Sequence, residues 1–242
     1  MSTDRHEIEI GGLAVEVVRK EIKHLHVGVY PPTGRVRVAA PRRLDDEAVR
    51  LAVVSRLGWI RRKQKEFAGQ DRQSQREMVT GESHYFQGRR YLLNVIECDG
   101  PAGVRLAGKT SMELRVPPAF NHAQRDVVLQ RWYRRQLRAV LPALGAKWEP
   151  RVGVTVSEVR IKRMKTRWGS CNAPARRVWL NLELIKKPVV CLEYVLVHEL
   201  VHLHERHHNE TFLARMDTLL PTWRVYRDEL NRAPLAHEKW IY

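Results

Sequence analysis

Apolar and polar residues alternate through the first forty positions. Ile8-Glu9-Ile10, Val15-Glu16-Val17, His24-Leu25-His26-Val27-Gly28-Val29 and Arg35-Val36-Arg37-Val38-Ala39 each set apolar side chains on every second residue. That period is the mark of a strand with one buried face. Pro31-Pro32-Thr33-Gly34 supplies a turn between the last two runs. At Leu44-Asp45-Asp46-Glu47 the pattern changes, with acids gathered as in a first helical turn. Ala48, Leu51, Val54, Leu57 and Ile60 then recur at helical spacing and predict one helix. It carries a basic tail, Arg61-Arg62-Lys63-Gln64-Lys65, and residues 69–76 read as a linker or long loop.

Strands resume at His84-Tyr85-Phe86 and at 89–96, joined by the turn Gln87-Gly88. Gly100-Pro101 breaks the run, short strands follow near Val104-Arg105-Leu106 and 112–116, and Pro117-Pro118 ends them. Residues 122–148 switch to the helical period, with Val128, Trp132, Leu137, Val140, Leu141 and Leu144 as the apolar stripe. Pro142 is expected to kink or divide this helix. Residues 152–161 and 178–182 read as strands, 189–203 as a helix after Pro188, and 210–220 as a helix closed by Pro221. No internal repeat is visible. The natural boundary lies at Pro117-Pro118, giving a β-rich N-terminal region with one helix over 1–118 and a second domain over 119–242.

With 43% hydrophobic residues in 242, the composition excludes a disordered or collagen-like chain. Three cysteines, Cys98, Cys171 and Cys191, do not suggest a disulfide framework. The most apolar segment, 189–203, is interrupted by Glu193, His198, Glu199 and His202 and is too polar and short to span a bilayer. The first seven residues hold no apolar signal core, so a cytoplasmic location without membrane insertion is expected. Lys and Arg number 43 against 27 Asp and Glu, a formal charge of +16. Residues 125–187 hold 16 of the cations and 4 of the acids, hence +12 of that total. Such clustering suits nucleotides or nucleic acid as partners, and it also suits a solvated face with structural ion pairs.

The chemistry concentrates in Val197-His198-Glu199-Leu200-Val201-His202-Leu203. Residues four apart on a helix lie about 40° apart around it, so His198 and His202 project from one face and can ligate one metal. Glu199 points about 100° away, toward a water at the metal's open position rather than toward the metal itself. Zinc with three protein ligands activates such a water, and Glu199 would take its proton as general base. A buried pair of histidines on an otherwise apolar helix also needs some partner. The third ligand is open among His204, Glu205, His207, His208 and Glu210. His208 stands ten residues after His198, a spacing that zinc enzymes with a third histidine use. Metzincins place a glycine three residues before that histidine, and here the position is Glu205, so the turn must differ.

Met164-Lys165-Thr166-Arg167-Trp168-Gly169-Ser170-Cys171, Val178-Trp179-Leu180-Asn181, the helix through Leu203, and His208-Asn209 with Phe212 resemble the YgjP-like family. These are zincin-type metallopeptidase domains related to SprT-like proteins. Arg35-Val36-Arg37-Val38, Ala40-Pro41, Trp59-Ile60, Gly81-Glu82-Ser83 and Gly88-Arg89-Arg90-Tyr91 extend the likeness over most of the chain. The resemblance implies an α+β fold: a compact, minimal gluzincin-like catalytic domain with a backing helix from 122–148, a small sheet and the metal-site helix. It implies zinc, or another divalent metal, on His198, His202 and His208, with Glu199 as general base.

Other residues carry weaker signals. Arg167 and Trp168 are candidate substrate-binding residues at the rim of a cleft, by main-chain pairing or stacking, and Trp168 also reads as core packing. Cys171 and Cys191 read as small buried residues. Glu193 and Asp217 could orient ligand imidazoles. Tyr194 and His207 are candidate oxyanion stabilisers. The tail Trp240-Ile241-Tyr242 could dock on the body or contact a partner. The leading expectation is a metallopeptidase acting on peptides or proteins. The alternatives are a metal-dependent nucleotide pyrophosphatase with arginine clamps on phosphate, and a DNA-associated SprT-like protease.

Overall fold

The computed structural model describes residues 4–30, 33–68, 77–164 and 167–232. They form six helices and three small sheets, a mixed α+β architecture. The expected linker at 69–76 and the tail Trp240-Ile241-Tyr242 lie outside the described residues. The chain divides into two compact units, Met1–Arg72 and Gln73–Tyr242.

The first unit begins with β1 (Arg5–Ile10), β2 (Leu13–Lys20), β3 (His26–Tyr30) and β4 (Arg35–Pro41). They form one sheet in the order β1-β2-β4-β3. Alternation places Val15, Val17, Val36 and Val38 on the core face. Helices α1 (Asp46–Val54) and α2 (Leu57–Ala68) follow, where one helix was expected. Asp45 caps α1 by accepting from the Ala48 N–H at 2.8 Å, and the helix closes at Ser55. Within α1 the expected apolar stripe is out of phase: Leu51 is 64% exposed and Val54 51%, whereas Val49 and Val53 are fully buried. In α2, Ile60 is buried and Leu57 packs against the core as expected. In a segment this rich in valine and alanine, more than one face satisfies the helical period. The cap and the sheet contact decide which face turns inward.

The second unit opens with another four-stranded sheet: β5 (Ser83–Phe86), β6 (Arg89–Glu97), β7 (Gly103–Ala107) and β8 (Ser111–Val116). Its order is β5-β6-β8-β7. The neighbouring pairs run antiparallel, parallel and antiparallel, just as in the first sheet. Both leading hairpins close with two positive-φ residues, Gly11-Gly12 and Gln87-Gly88, the backbone of a primed two-residue turn. The chain therefore contains a structural repeat that its sequence does not display.

Helix α3 (His122–Val152) starts in a capping box between Asn121 and Gln124 and ends at Gly153 in the left-handed region. It continues unbroken through Pro142, contrary to the expected kink. Pro142 sits on the exposed side, where the carbonyl it leaves unpaired can face water. Strands β9 (Glu158–Lys162), β10 (Gly169–Asn172) and β11 (Arg177–Asn181) form a third sheet, ordered β10-β11-β9. A 3-10 turn at Leu182–Lys186 leads into α4 (Val189–Val201), α5 (Glu210–Leu219) and α6 (Trp223–Arg232). The expected strand over 152–161 is replaced by β9, because Val152 still belongs to α3 and the Val154 and Val156 N–H groups donate to the Glu149 carbonyl and carboxylate. Strand β10 and helix α6 are additions to the sequence reading.

One hydrophobic cluster runs from Met78 through the β5–β8 sheet, α3 and α4 to Leu230 of α6. The compact units therefore part before β5, whereas the sequence reading parted the chain at Pro117-Pro118. The turn between β5 and β6 is held against the 3-10 segment. Gln87 N–H donates to Ile185 O at 2.8 Å and Gly88 N–H to Lys186 O at 3.1 Å. A Cβ on Gly88 would fall 2.8 Å from Pro188 Cγ, so this contact, immediately before α4, requires glycine.

Candidate metal centre

Helix α4 is buried along most of its length, with Cys191, Leu192, Val195, Leu196, Val197 and Leu200 in the core. His198 lies in its last turn and His202 is its C-cap residue, so the helix stops short of the expected Leu203. The chain then turns tightly: Leu203 N–H donates to Leu200 O, and His204 and Glu205 N–H groups both donate to Val201 O, each at 3.0 Å. His204 is directed away, its Nε2 lying 2.9 Å from the Val152 carbonyl at the end of α3. Asn209 caps α5 by accepting from the Phe212 N–H at 2.9 Å. His208 thus precedes the cap and returns to the two helix histidines.

The three imidazoles converge through Nε2. The separations are 3.2 Å between His198 and His202, 3.1 Å between His198 and His208, and 3.1 Å between His202 and His208. A tetrahedral ion with zinc–imidazole bonds would set its nitrogens about 3.3–3.4 Å apart, so the observed triangle fits within a few tenths of an ångström. The tautomer fits as well. His202 Nδ1–H donates to the Glu205 carbonyl at 3.0 Å, which leaves a lone pair on Nε2. Burial, with His202 and His208 close by, pushes the His198 pKa down to about 3, and burial also lowers that of His202. Three imidazole nitrogens converging on one point are a donor set for a divalent cation. Among the described residues this is the group of His, Cys, Asp and Glu arranged to hold one.

Phe212 lies against the whole triad, with its ring centroid 4.9, 4.8 and 4.8 Å from those of His198, His202 and His208. It is 1% exposed. His198 Nδ1 has no hydrogen-bond partner among the described residues, so packing by Phe212 and Tyr194 sets that ring's orientation.

Glu199 is 5% exposed. Burial pushes its carboxyl up to about 8, and the positive charge of Arg167 partly opposes the shift. A Cβ built on Gly169 of β10 would meet Glu199 Oε1 at 2.6 Å and Cγ at 2.8 Å. The bare backbone of β10 therefore makes the space that Glu199 occupies. Asn181 fixes the approach to β10. Its Nδ2 donates to the carbonyls of Met164 and Arg167, both at 2.8 Å, and its backbone N–H to Trp168 O at 2.9 Å. Arg167 is exposed, and Trp168 is half-buried against the core with the Lys187 ammonium 5.9 Å from its ring.

Several candidates have other work. Glu193 accepts from Trp148 Nε1 at 2.6 Å and pairs with Lys147, tying α4 to α3. Asp217 accepts from Trp223 Nε1 at 2.8 Å and pairs with Arg224, tying α5 to α6. His207 is exposed, and its backbone N–H donates to Glu205 Oε1 at 3.3 Å. Tyr194 stays beside the site, its ring centroid 5.8 Å from that of His198 and stacked at 6.1 Å on Trp223. Glu210 occupies the first turn of α5. Phe212, Gly169, Asn181 and the Glu205 carbonyl are the contributors whose roles the sequence reading did not assign. A glycine opening a short strand, and an Asn-x-x-Phe capping run directly after a histidine, were the signals available.

Much of the basic stretch is engaged internally. Arg160 and Arg177 share Glu158 at 2.6 and 3.0 Å, while Arg163 and Lys186 share Glu183 at 3.6 and 2.6 Å. Arg134 and Arg176 donate to the carbonyls of Ile161 and Thr155, each at 2.7 Å. Arg151, Lys162 and Lys187 lie over the rings of Trp148, Trp179 and Trp168.

Comparison with known proteins bears on most of the chain. Among curated proteins, none matches. The crystal structure of the metallopeptidase zymogen of Pyrococcus abyssi abylysin is 19% identical, covering 37% of this chain and 90% of that one with a TM-score of 0.35. The family model "YgjP-like, metallopeptidase domain" matches residues 25–233, a span that includes His198, Glu199, His202 and His208. With most of its length matched, the chain belongs to the YgjP-like metallopeptidase family.

Proposed function

We propose that this chain is a zinc-dependent, zincin-like metallopeptidase that cleaves peptide bonds with Glu199 as general base. The observation that carries this reading is the meeting of three Nε2 atoms at 3.1–3.2 Å, next in sequence to a buried carboxylate in the same helix. His198, His202 and His208 would hold the metal, and a divalent ion other than zinc is compatible with the same donors. When bound, that ion supplies Lewis acidity toward a water and a substrate carbonyl. The rest falls to the chain. Glu199, buried in the same helix, would accept a proton from the attacking water and pass it to the leaving amine, with the positive charge of Arg167 favouring its ionised form. Gly169 gives that carboxylate room, and Phe212 keeps the imidazoles in place.

Strand β10 is an edge of its sheet, so an extended peptide could pair with its free side. Arg167 and Trp168 stand at its start and would meet the substrate there. All of these residues lie within 119–242, which we take as the catalytic segment, in a cytoplasmic protein. For the nucleotide pyrophosphatase reading, with arginines as phosphate clamps, the described cation whose charge reaches Glu199 is Arg167.

The test is a substrate panel. Zinc-loaded protein is incubated with a mixture of unstructured peptides in 18O water and, separately, with nucleoside triphosphates. New peptide termini carrying 18O, read by mass spectrometry and abolished by chelation, are the expected result. Labelled phosphate or pyrophosphate release without peptide cleavage would transfer the site to phosphoryl chemistry.

A further inference from the structure

We propose that the exposed face of α3 bearing Arg131, Arg135 and Arg138 binds the phosphate backbone of duplex DNA. Most cations of the basic stretch have a carboxylate, a carbonyl or an indole to answer them. Among the described residues, no ion pair or side-chain hydrogen bond involves these three. All are exposed. Their spacing of four and then three residues puts them on one side of the helix. Uncharged residues flank the row, with exposed Val127 one turn before Arg131 and exposed Pro142 one turn after Arg138.

The arrangement is unfavourable by itself. Like charges four and three apart destabilise a helix, and α3 contains no acid between Asp126 and Glu149 to relieve them. Arg134 flanks the same row, and its guanidinium donates to the Ile161 carbonyl of β9, which pins that edge of the helix face. The result is a line of three exposed guanidiniums on one side of a packed helix.

A regular polyanion complements such a line. The duplex offers the densest phosphate charge and is gripped through its backbone without base contacts. Single strands are held on exposed aromatic platforms. The aromatics of this helix, Trp132, Tyr133 and Trp148, are all buried. The face is therefore built for charge and not for stacking. This inference is independent of the peptidase reading.

The test is fluorescence anisotropy of the full chain with a labelled 20-base-pair DNA duplex between 50 and 200 mM salt. Arg131→Gln/Arg135→Gln/Arg138→Gln is compared with a control of equal charge loss, Arg89→Gln/Arg90→Gln/Arg115→Gln, drawn from exposed arginines of β6 and β8. The plot of log affinity against log salt should become shallower by about 2 to 3 for the α3 variant, and the control should keep the wild-type slope. Single Gln variants, each shallower by about 0.9, serve if the triple variant melts below wild type. The proposal is overturned if wild type does not bind, if the control loses as much as the α3 variant, or if the single strand or phosphatidylserine vesicles bind more tightly than the duplex.

Discussion

Gly169 and Glu199 share one space. A methyl group on Gly169 would lie 2.6 Å from Glu199 Oε1, closer than carbon and oxygen can approach, and Glu199 is nearly sealed from solvent. Gly169 is not in the left-handed region, so alanine there strains no backbone and tests the contact alone. Gly169→Ala should cost about 1–3 kcal/mol of stability through overpacking. It should also lower kcat at least about tenfold by moving the general base, with zinc stoichiometry unchanged. Melting curves, metal analysis and peptide turnover check the three parts. Wild-type turnover in the alanine variant would show that the contact does not position Glu199.

Phe212 supports three ligands with one ring. Phe212→Ala should cost about 3–5 kcal/mol, as for other buried aromatics. It should also weaken zinc binding, because the His198 ring, whose Nδ1 has no partner among the described residues, loses a packing surface. Phe212→Leu should recover most of the stability. Competition with a chromophoric chelator measures the affinity. Unchanged affinity in the alanine variant would show that the imidazoles hold their geometry without the ring.

Glu193 joins two helices and does not touch the ligands. Glu193→Gln weakens the contact with Trp148 and leaves Lys147 without its carboxylate. A loss of about 1–3 kcal/mol in urea denaturation is expected, with zinc affinity within about twofold of wild type. A tenfold loss of affinity at unchanged stability would instead place Glu193 behind the ligands.

Two thiols should resist alkylation. Burial, with the Glu199 charge adding to it, pushes Cys171 up to about 11, and burial pushes Cys191 up to about 12. At pH 8 about one molecule in a thousand carries the Cys171 thiolate and about one in ten thousand the Cys191 thiolate. Iodoacetamide labelling with peptide mapping should find both slow in native protein and fast in urea. The folded chain favours the protonated thiols. Their contribution is therefore complete below the unfolded thiol value near 8.5 and is lost as pH rises through about 11 to 12. Labelling of native Cys191 at the unfolded rate would contradict the burial.

The alternating runs of the first unit were legible because each strand has one wet and one dry face. The histidines were legible because helical geometry alone brings His198 and His202 together. His208 required more. Its return depends on a tight turn after His202 and on the Asn209 cap, and spacing could not choose it from its neighbours. Residues 48–54 offered two faces of similar period, and packing buried Val49 and Val53 instead of Leu51 and Val54. Helix α6 escaped notice because, among the described residues, its core contacts are few: Trp223 and Leu230 are buried and Tyr226 is partly buried. The repeat between the two four-stranded sheets is invisible in sequence because it lies in strand order and direction, which many side-chain sets satisfy.

The central claim is that Glu199 drives peptide hydrolysis at a three-histidine metal site. Its most direct test is mass-spectrometric peptide hydrolysis by wild type and Glu199→Gln, each loaded with one equivalent of zinc. The account predicts equal zinc content, with cleavage by wild type and a loss of at least about a hundredfold in the glutamine variant. Cleavage at the same rate by both would contradict it.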